Sequence, residues 1–403
     1  MAFDKGVDRF NKYTYWESVM NFEWDPSDEA YRAELREVIA TLPEDWWENY
    51  APHGPSSPVI MDHARIFNAR LAERDLIVRH WPEAYGGKDA GAWKQIVISE
   101  EMWSLGEPRS SLYLGSNWAG PAIMKFGTEA QKQKYLRGIA EARYLWCQGF
   151  SEPEAGTDLS NMKTRAEPVE GGFCINGSKI WTSYAARADL MFLLARVGGD
   201  GNKGKGGVSC FLVPTDTPGL EIRPIQGVHS RHDFHECFFT DMFVPFEALL
   251  GEEGNGWTIV QTIIHYERIG AARYEKSGRA LEHTVDVLKA RGEFDDPVVR
   301  ADCAAALAQV EAARMLTYLV IDGRAKDLDP GADTYVARYA MIQADHAVAN
   351  LTSANLPDLL VEGGDGHLRS QFNSAITSGI AAGAAEVQLN MISGRYLGLP
   401  RGA

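Results

Sequence analysis

The sequence predicts an α+β chain in three parts: a helical N-terminal domain, a central β-sandwich or barrel domain, and a C-terminal four-helix bundle. Two textures predict it. Apolar residues recur at helical spacing on both sides of a middle stretch, and that stretch breaks into short β-prone runs separated by Gly, Pro and Asp. With 403 residues there is length for two or three domains. The boundaries are placed at 1–143, 144–246 and 247–403.

In the first part, Asp28 to Leu42 carries apolar residues at helical spacing behind Asp25-Pro26-Ser27, a capping sequence, and Pro43 ends it. His63 to Arg74, Trp93 to Trp103 and Ala130 to Ala140 read as further helices. Trp81-Pro-Glu-Ala-Tyr-Gly-Gly87 reads as a loop. The β-prone runs are Gly172 to Gly177, Leu190 to Val197, Val208 to Pro214, Leu220 to Ile225 and Glu236 to Phe239, with Asn176-Gly177 as a hairpin-turn signal. Helical period returns over Trp257 to Ala272, Lys276 to Arg291, Val298 to Arg324 and Thr334 to Ala354, long enough for a bundle. After Gly363-Gly-Asp-Gly366, Ser370 to Leu397 reads as a last, Ala-rich helical region.

Composition narrows the function. Apolar residues make up 45% and charged ones 24%, ordinary for a soluble globular enzyme. A net charge of −15 argues against a general nucleic-acid surface, which needs basic patches, but leaves room for a local basic pocket. The five cysteines show no metal or CxxC spacing and fit a reduced, cytoplasmic protein. No signal peptide is read in Met1 to Gly6, and no apolar run approaches the roughly 18 residues of a membrane span.

Two segments carry the chemistry. Phe150-Ser-Glu-Pro-Glu-Ala-Gly-Thr-Asp158 is a turn-forming run with backbone N–H groups and hydroxyls, and Lys179-Ile-Trp-Thr-Ser183 sets a Trp beside two more hydroxyls. Together they suit a flat cofactor with polar edges. The pair resembles the flavin-binding signature of the acyl-CoA dehydrogenases. The resemblance runs along nearly the whole chain, through Trp81–Gly87, Phe126–Leu136, Val244-Pro245, Leu250–Trp257 and the tail from Asn390 to Arg401.

That resemblance implies FAD, with Phe150, Ser151, Gly156 and Thr157 along the isoalloxazine ring and Trp181, Thr182 and Ser183 on its other side. Gly leaves backbone N–H groups accessible, and Trp adds a rigid apolar face with one N–H. It also implies that Arg291 holds the FAD pyrophosphate across a dimer interface, as an Arg fork suits two phosphate oxygens. The bland alternatives are a core Trp181 and a solvated helix-end Arg291, and Asp295 sets a carboxylate close to the latter.

The reaction implied is removal of an α-proton and a β-hydride from an acyl-CoA thioester, giving the trans-2-enoyl-CoA. Of the two places the family keeps its base, the one near the C-terminus falls on Ala382, which has no carboxylate. The other, a Glu-Arg pair early in the bundle, falls on Glu267, with Arg268 as a substrate-positioning residue. A hydrophobic pocket would raise the Glu267 pKa. The same resemblance implies an electron-transfer flavoprotein as electron acceptor and a homo- or hetero-tetramer built as a dimer of dimers. No metal is implied.

Departures qualify this. Where the family has Thr in its tail there is Ala384, and where it has Gln before its Gly-Gly there is Leu360. Both normally help hold FAD from a neighbouring subunit, so this chain is a candidate for the base-bearing partner of an unlike subunit, as in members that act on steroid side chains. A same-fold monooxygenase, a nitroalkane oxidase and a degenerate scaffolding subunit are the competing readings. Trp46-Trp47 reads as packing. His229, His232 and His235, three residues apart, read as a polar loop, with a metal as the less favoured alternative.

Overall fold

Asp25 accepts a hydrogen bond from the Ser27 N–H at 2.7 Å and opens helix α1, Pro26–Ile39, the first element of the computed structural model. The structure describes residues 24–198, 207–228, 233–267, 272–328, 331–381 and 383–400. Glu267 closes a helix whose last side chains, from 265 on, are not described, and Arg268, His229, His232 and Ala382 lie outside the described residues.

Tyr31, Leu35 and Val38, at helical spacing on α1, are buried against α3, Trp93–Trp103. Between them α2, Pro58–Ala72, starts five residues before the expected His63, because Ser57 caps it and Pro58 fills its first turn. Leu112–Leu114, a π-helical turn at Gly115–Ala119 and α4, Gly120–Phe126, form a buried helical stretch that the sequence reading left unassigned. A Cβ on Gly120 would meet the Trp81 ring at 2.3 Å, so that glycine is what lets the indole pack there. The helix expected over Ala130 to Ala140 carries a π segment, Lys132–Leu136.

Among the described residues the middle of the chain is one hydrogen-bonded sheet of eight strands: β1, Trp146–Gly149; β2, Arg165–Val169; β3, Gly172–Ser183; β4, Leu190–Val197; β5, Val208–Pro214; β6, Leu220–Ile225; β7, Phe234–Pro245; and β8, Leu249–Leu250. Their order is β6-β7-β3-β2-β4-β5-β8, and β1 also pairs with β4 in parallel. Asn176-Gly177 is not a hairpin turn. It lies inside β3 at a register shift against β7, where Asn176 exchanges hydrogen bonds with Asp241, and the hairpin turn falls between β2 and β3 instead. The expected Glu236–Phe239 run is the middle of a strand of twelve residues.

The bundle follows: α5, Gly256–Glu267; α6, Tyr274–Ala290; α7, Pro297–Ala325; α8, Asp333–Asn355; α9, Gly366–Thr377; and α10, Ala385–Met391. The last helical region is thus two helices with a turn between them. Trp46 packs in a small satellite core and its indole N–H donates to Leu105 O at 3.0 Å, while Trp47 stacks on His367 with ring centroids 3.9 Å apart. Both indoles therefore pack, as read from the sequence.

A buried polar network locks α3 to the bundle. Tyr274 and Tyr318 both donate to Glu100 Oε1, at 2.9 and 2.5 Å, and Arg32 reaches Glu100 and Glu101 at 3.1 and 2.8 Å. Next to it, burial and then the Glu100 charge push Glu275 up to about 7, against Arg314 and Arg32. A carboxyl whose folded value exceeds its unfolded one stabilises fully below about pH 4.5, and that contribution is lost as pH rises through about 7. Glu275→Gln is expected to raise stability at pH 8 by on the order of 2 kcal/mol and to change little near pH 4.5. Denaturant midpoints at the two pH values check this; equal shifts at both would contradict it.

Candidate functional site

The two chemistry-bearing segments are joined by a buried ion pair. Lys179 Nζ bonds Glu152 Oε1 at 2.7 Å and the Phe150 carbonyl at 3.1 Å, and the Ile180 N–H bonds the Ser151 carbonyl at 2.9 Å. Glu152 also accepts the N–H groups of Lys163 and Thr164, at 2.5 and 2.9 Å, which closes the loop on itself. Burial pulls Lys179 down to about 8 against the attraction of Glu152. Desolvation works against the Glu152 anion too, yet Lys179 and the donors around it hold its pKa below the ordinary carboxylate value.

Two residues beyond Lys179, Trp181 stands at φ 61, a left-handed conformation that a non-glycine residue adopts at a strain cost of about 1–3 kcal/mol. The register of β3 against β7 shifts between Lys179 and Thr182, and the extra residue turns the indole out, 57% exposed. Phe234 meets it edge-on at 6.2 Å. Ser183 and Ser151 are half-buried, and Gly156 and Thr157 are exposed, with open space where a Gly156 Cβ would stand. An exposed indole face with hydroxyls and free loop backbone beside it fits the ring of FAD. Thr182 differs: it is 1% exposed, its hydroxyl meets Cys237 and its carbonyl faces His235 Nδ1 at 3.2 Å. Its side chain belongs to the sheet interior rather than to the exposed face.

Phe150 leads inward. It walls a shallow apolar hollow, partly open to solvent, together with Leu114, Trp118, Trp146, Phe192 and Ile263. Ile263 lies on α5 four residues before Glu267, a separation that stacks two positions on one helix face.

Arg291, expected to hold the pyrophosphate across a dimer interface, forms in the single chain a surface two-point pair with Asp358, at 3.0 and 2.7 Å; Asp295, the carboxylate suspected from sequence, is not its partner. Asp358 is 67 residues away along the chain, and sequence spacing gave no sign of it. In the tail, Ala384 is the N-cap of α10 and offers no side-chain bond to it, and Leu360 packs on the main core. His235 is 2% exposed on β7, and among the described residues no three His, Cys, Asp or Glu gather as metal ligands.

Glu152 and Lys179 were inside the segments singled out, yet their pairing needed the fold. Lys179→Met leaves a buried Glu152 without its cation and is expected to cost about 3–5 kcal/mol, with loss of bound flavin. Replacing both partners with apolar residues is expected to recover much of the stability but not the flavin. Denaturation curves and flavin absorbance of the purified variants check both outcomes.

Comparison with known proteins bears on the same three regions. Models of the acyl-CoA dehydrogenase N-terminal, middle and C-terminal domains match residues 27–143, 147–242 and 254–397. The acyl-CoA dehydrogenase IpdE1 of Mycolicibacterium smegmatis is 30% identical over 392 residues, which cover 93% of this chain and 98% of that protein. FadE34 of Mycobacterium tuberculosis is 32% identical over 82% of this chain, which spans only 46% of its length. The solved steroid ACAD Tcur3481-Tcur3483 superposes with a TM-score of 0.84 at 29% identity, covering 95% of this chain and all of that one. The ChsE4-ChsE5 complex from Mycobacterium tuberculosis gives 0.82 at 26% identity, with 95% and 100% covered. With its helical, β-sheet and helical parts each matched in order, the chain belongs to the acyl-CoA dehydrogenase family, FAD-dependent oxidoreductases.

Proposed function

We propose that the protein oxidises an acyl-CoA thioester to its trans-2-enoyl-CoA, with Glu267 as base. The observation that carries this is convergence. One apolar pocket is walled by Phe150, first residue of the candidate flavin loop, and by Ile263, one helical turn before Glu267. An acyl chain in that pocket would lie between the base and the ring site. Apolar walls suit the chain, and a carboxylate in such surroundings stays basic enough to take an α-proton.

Each group then has a role. The Glu267 carboxylate takes the proton from the α-carbon, and the Cα–Cβ double bond forms as a hydride leaves the β-carbon. A bound FAD supplies the acceptor for that hydride. Trp181 offers the ring its flat face, Ser183, Ser151 and Thr157 its polar edge, and Gly156 backbone access; Thr182 contributes through the strand. Arg268 is assigned to substrate positioning by its place next to Glu267. An electron-transfer flavoprotein is the proposed acceptor of the electrons. Five free cysteines, four of them buried, fit the cytoplasm as location.

Assembly is the second element of the reading. Arg291 pairs with Asp358 on its own chain, Leu360 is a half-buried apolar residue, and Ala384 lacks a hydroxyl, so two side chains expected at the remote part of FAD are absent and a third has a partner within the chain. A tetramer with an unlike subunit that supplies them fits better than four identical chains. The family relatives of known structure named above include two such two-component complexes by title.

Glu267→Gln is expected to lower acyl-CoA-driven bleaching of the flavin by at least about 10³-fold while leaving flavin content unchanged; anaerobic spectra read both, and retained turnover would remove Glu267 as base. Purified alone, the chain is expected to carry less than one FAD per subunit, and a full, tightly held flavin in every chain would sink the mixed-tetramer reading. Ala384→Thr restores a capping hydroxyl to α10 and is expected to add about 1 kcal/mol of stability, seen as a raised denaturant midpoint.

A further inference from the structure

Helix α7, Pro297–Ala325, has two unlike faces. Cys303, Ala306, Val310, Ala313, Thr317 and Val320 point into the bundle and are buried. On the opposite side Val298, Ala301, Ala305, Ala308, Ala312, Met315 and Leu319 follow one another in alternating steps of three and four residues, and all are exposed among the described residues. Val298 is 65% exposed, Met315 38% and Leu319 39%. Only 33% of the helix's most apolar 18-residue stretch is buried by the described residues of its own chain. A continuous apolar row of this kind marks a contact surface, unlike single apolar residues scattered over a surface.

Alternating steps of three and four are the 3.5-residue repeat of a helix that packs lengthwise on another helix. The sizes along the row say which helix. Ala301, Ala305 and Ala308 make its N-terminal half, and Ala312, Met315 and Leu319 its C-terminal half. Laid antiparallel on a second copy, about an axis midway between Ala308 and Ala312, the row sets large residues on small ones. Met315 of one copy faces Ala305 of the other, Leu319 faces Ala301, and Ala308 faces Ala312. A parallel pairing would crowd Met315 on Met315 and leave Ala301 across a gap from Ala301, so the row complements itself only in the antiparallel sense. Glu311, beside the middle of the row, is paired with Arg314 at 3.3 Å, which answers its charge within its own chain.

From Val298 to Leu319 the row runs about 32 Å, on a helix about 10 Å wide. Such a strip covers on the order of 300 Å² per copy, below the roughly 800 Å² per partner of an interface that stands alone. It suits joining pairs that another contact already holds. We propose that α7 is where two like copies of this chain meet, antiparallel and about a two-fold axis, inside a larger assembly. This contact extends the dimer of dimers proposed above and rests on it for the flavin-sharing interface. The unlike neighbour then sits at the flavin and the like neighbour at α7.

The test uses the assembly as purified, with any copurifying subunit. In an Ala301→Cys/Leu319→Cys variant the two new thiols stand about 27 Å apart along one helix, too far for a disulfide within a chain, whereas across the row they face each other. The expected result is a covalent dimer of this chain on a non-reducing gel after mild oxidation, reversed by reductant and not formed by the unsubstituted chain. Met315→Glu, at an exposed position, is expected to halve the mass of the assembly by light scattering and leave the flavin content per chain unchanged. Adding Ala305→Lys to Met315→Glu is expected to restore the mass at low salt, because the two positions face each other across the axis. Absence of the cross-link overturns the proposal and leaves the row to residues 1–23 of the same chain or to an unlike subunit. An unchanged mass in Met315→Glu overturns it as well. A cross-linked assembly that contains only like chains supports the α7 contact and removes the mixed-tetramer reading.

Discussion

The ion pair between Lys179 and Glu152 is the constraint on which the candidate site depends. Neither charge is stable alone at that depth, since taking a single ammonium or carboxylate out of water costs several kcal/mol. Together, and with the Phe150 carbonyl and two backbone N–H groups completing their shells, they fix the distance between a loop and a strand that are 27 residues apart in sequence. The strained Trp181 stands two residues further along the strand. A left-handed tryptophan would relax if β3 could shift its register, and anchoring on the sequence-preceding side by Lys179 and on the following side by the Thr182–His235 contact prevents that. The exposed indole is therefore a consequence of buried charge, not of surface chemistry.

The site also needs the helical parts held in place, and there the joints are polar as well. Glu100 accepts from two tyrosines and an arginine that come from three separate helices. Such a network has directional requirements that apolar packing lacks, so α3 and the start of α6 are fixed in rotation and not only in proximity. Helix α5 ends at Glu267 and α6 begins at Tyr274, whose hydroxyl belongs to that network.

Much of this was legible in the sequence because it rests on local pattern. Trp93–Trp103 and the strands at Leu190–Val197, Val208–Pro214 and Leu220–Ile225 fall where periodicity puts them. The misses share a cause. Asn176-Gly177 has the composition of a turn, but its neighbours on β7 absorb it as a bulge, so tertiary pairing outweighed local preference. The stretch from Leu112 to Phe126 is buried around most of its circumference and mixes apolar residues with Ser116 and Asn117, so it shows no single face to count. The partners of Lys179 and Arg291 are long-range, and no spacing rule finds a carboxylate at a distance of 27 or 67 residues.

The tail shows how a missing side chain can be informative. A helix N-terminus leaves N–H groups unsatisfied, and a Thr at that position would cap them, whereas Ala384 leaves α10 without a side-chain cap. A chain that used this tail to hold its twin's flavin would keep that hydroxyl for two reasons, helix stability and cofactor contact. Here both are absent at once, and the arginine expected to reach the pyrophosphate has been drawn to Asp358 on the same chain. The ring end of the site, by contrast, is retained down to a strained tryptophan. In the proposed mixed tetramer this chain would supply the ring site and the base, and an unlike neighbour the remote contacts.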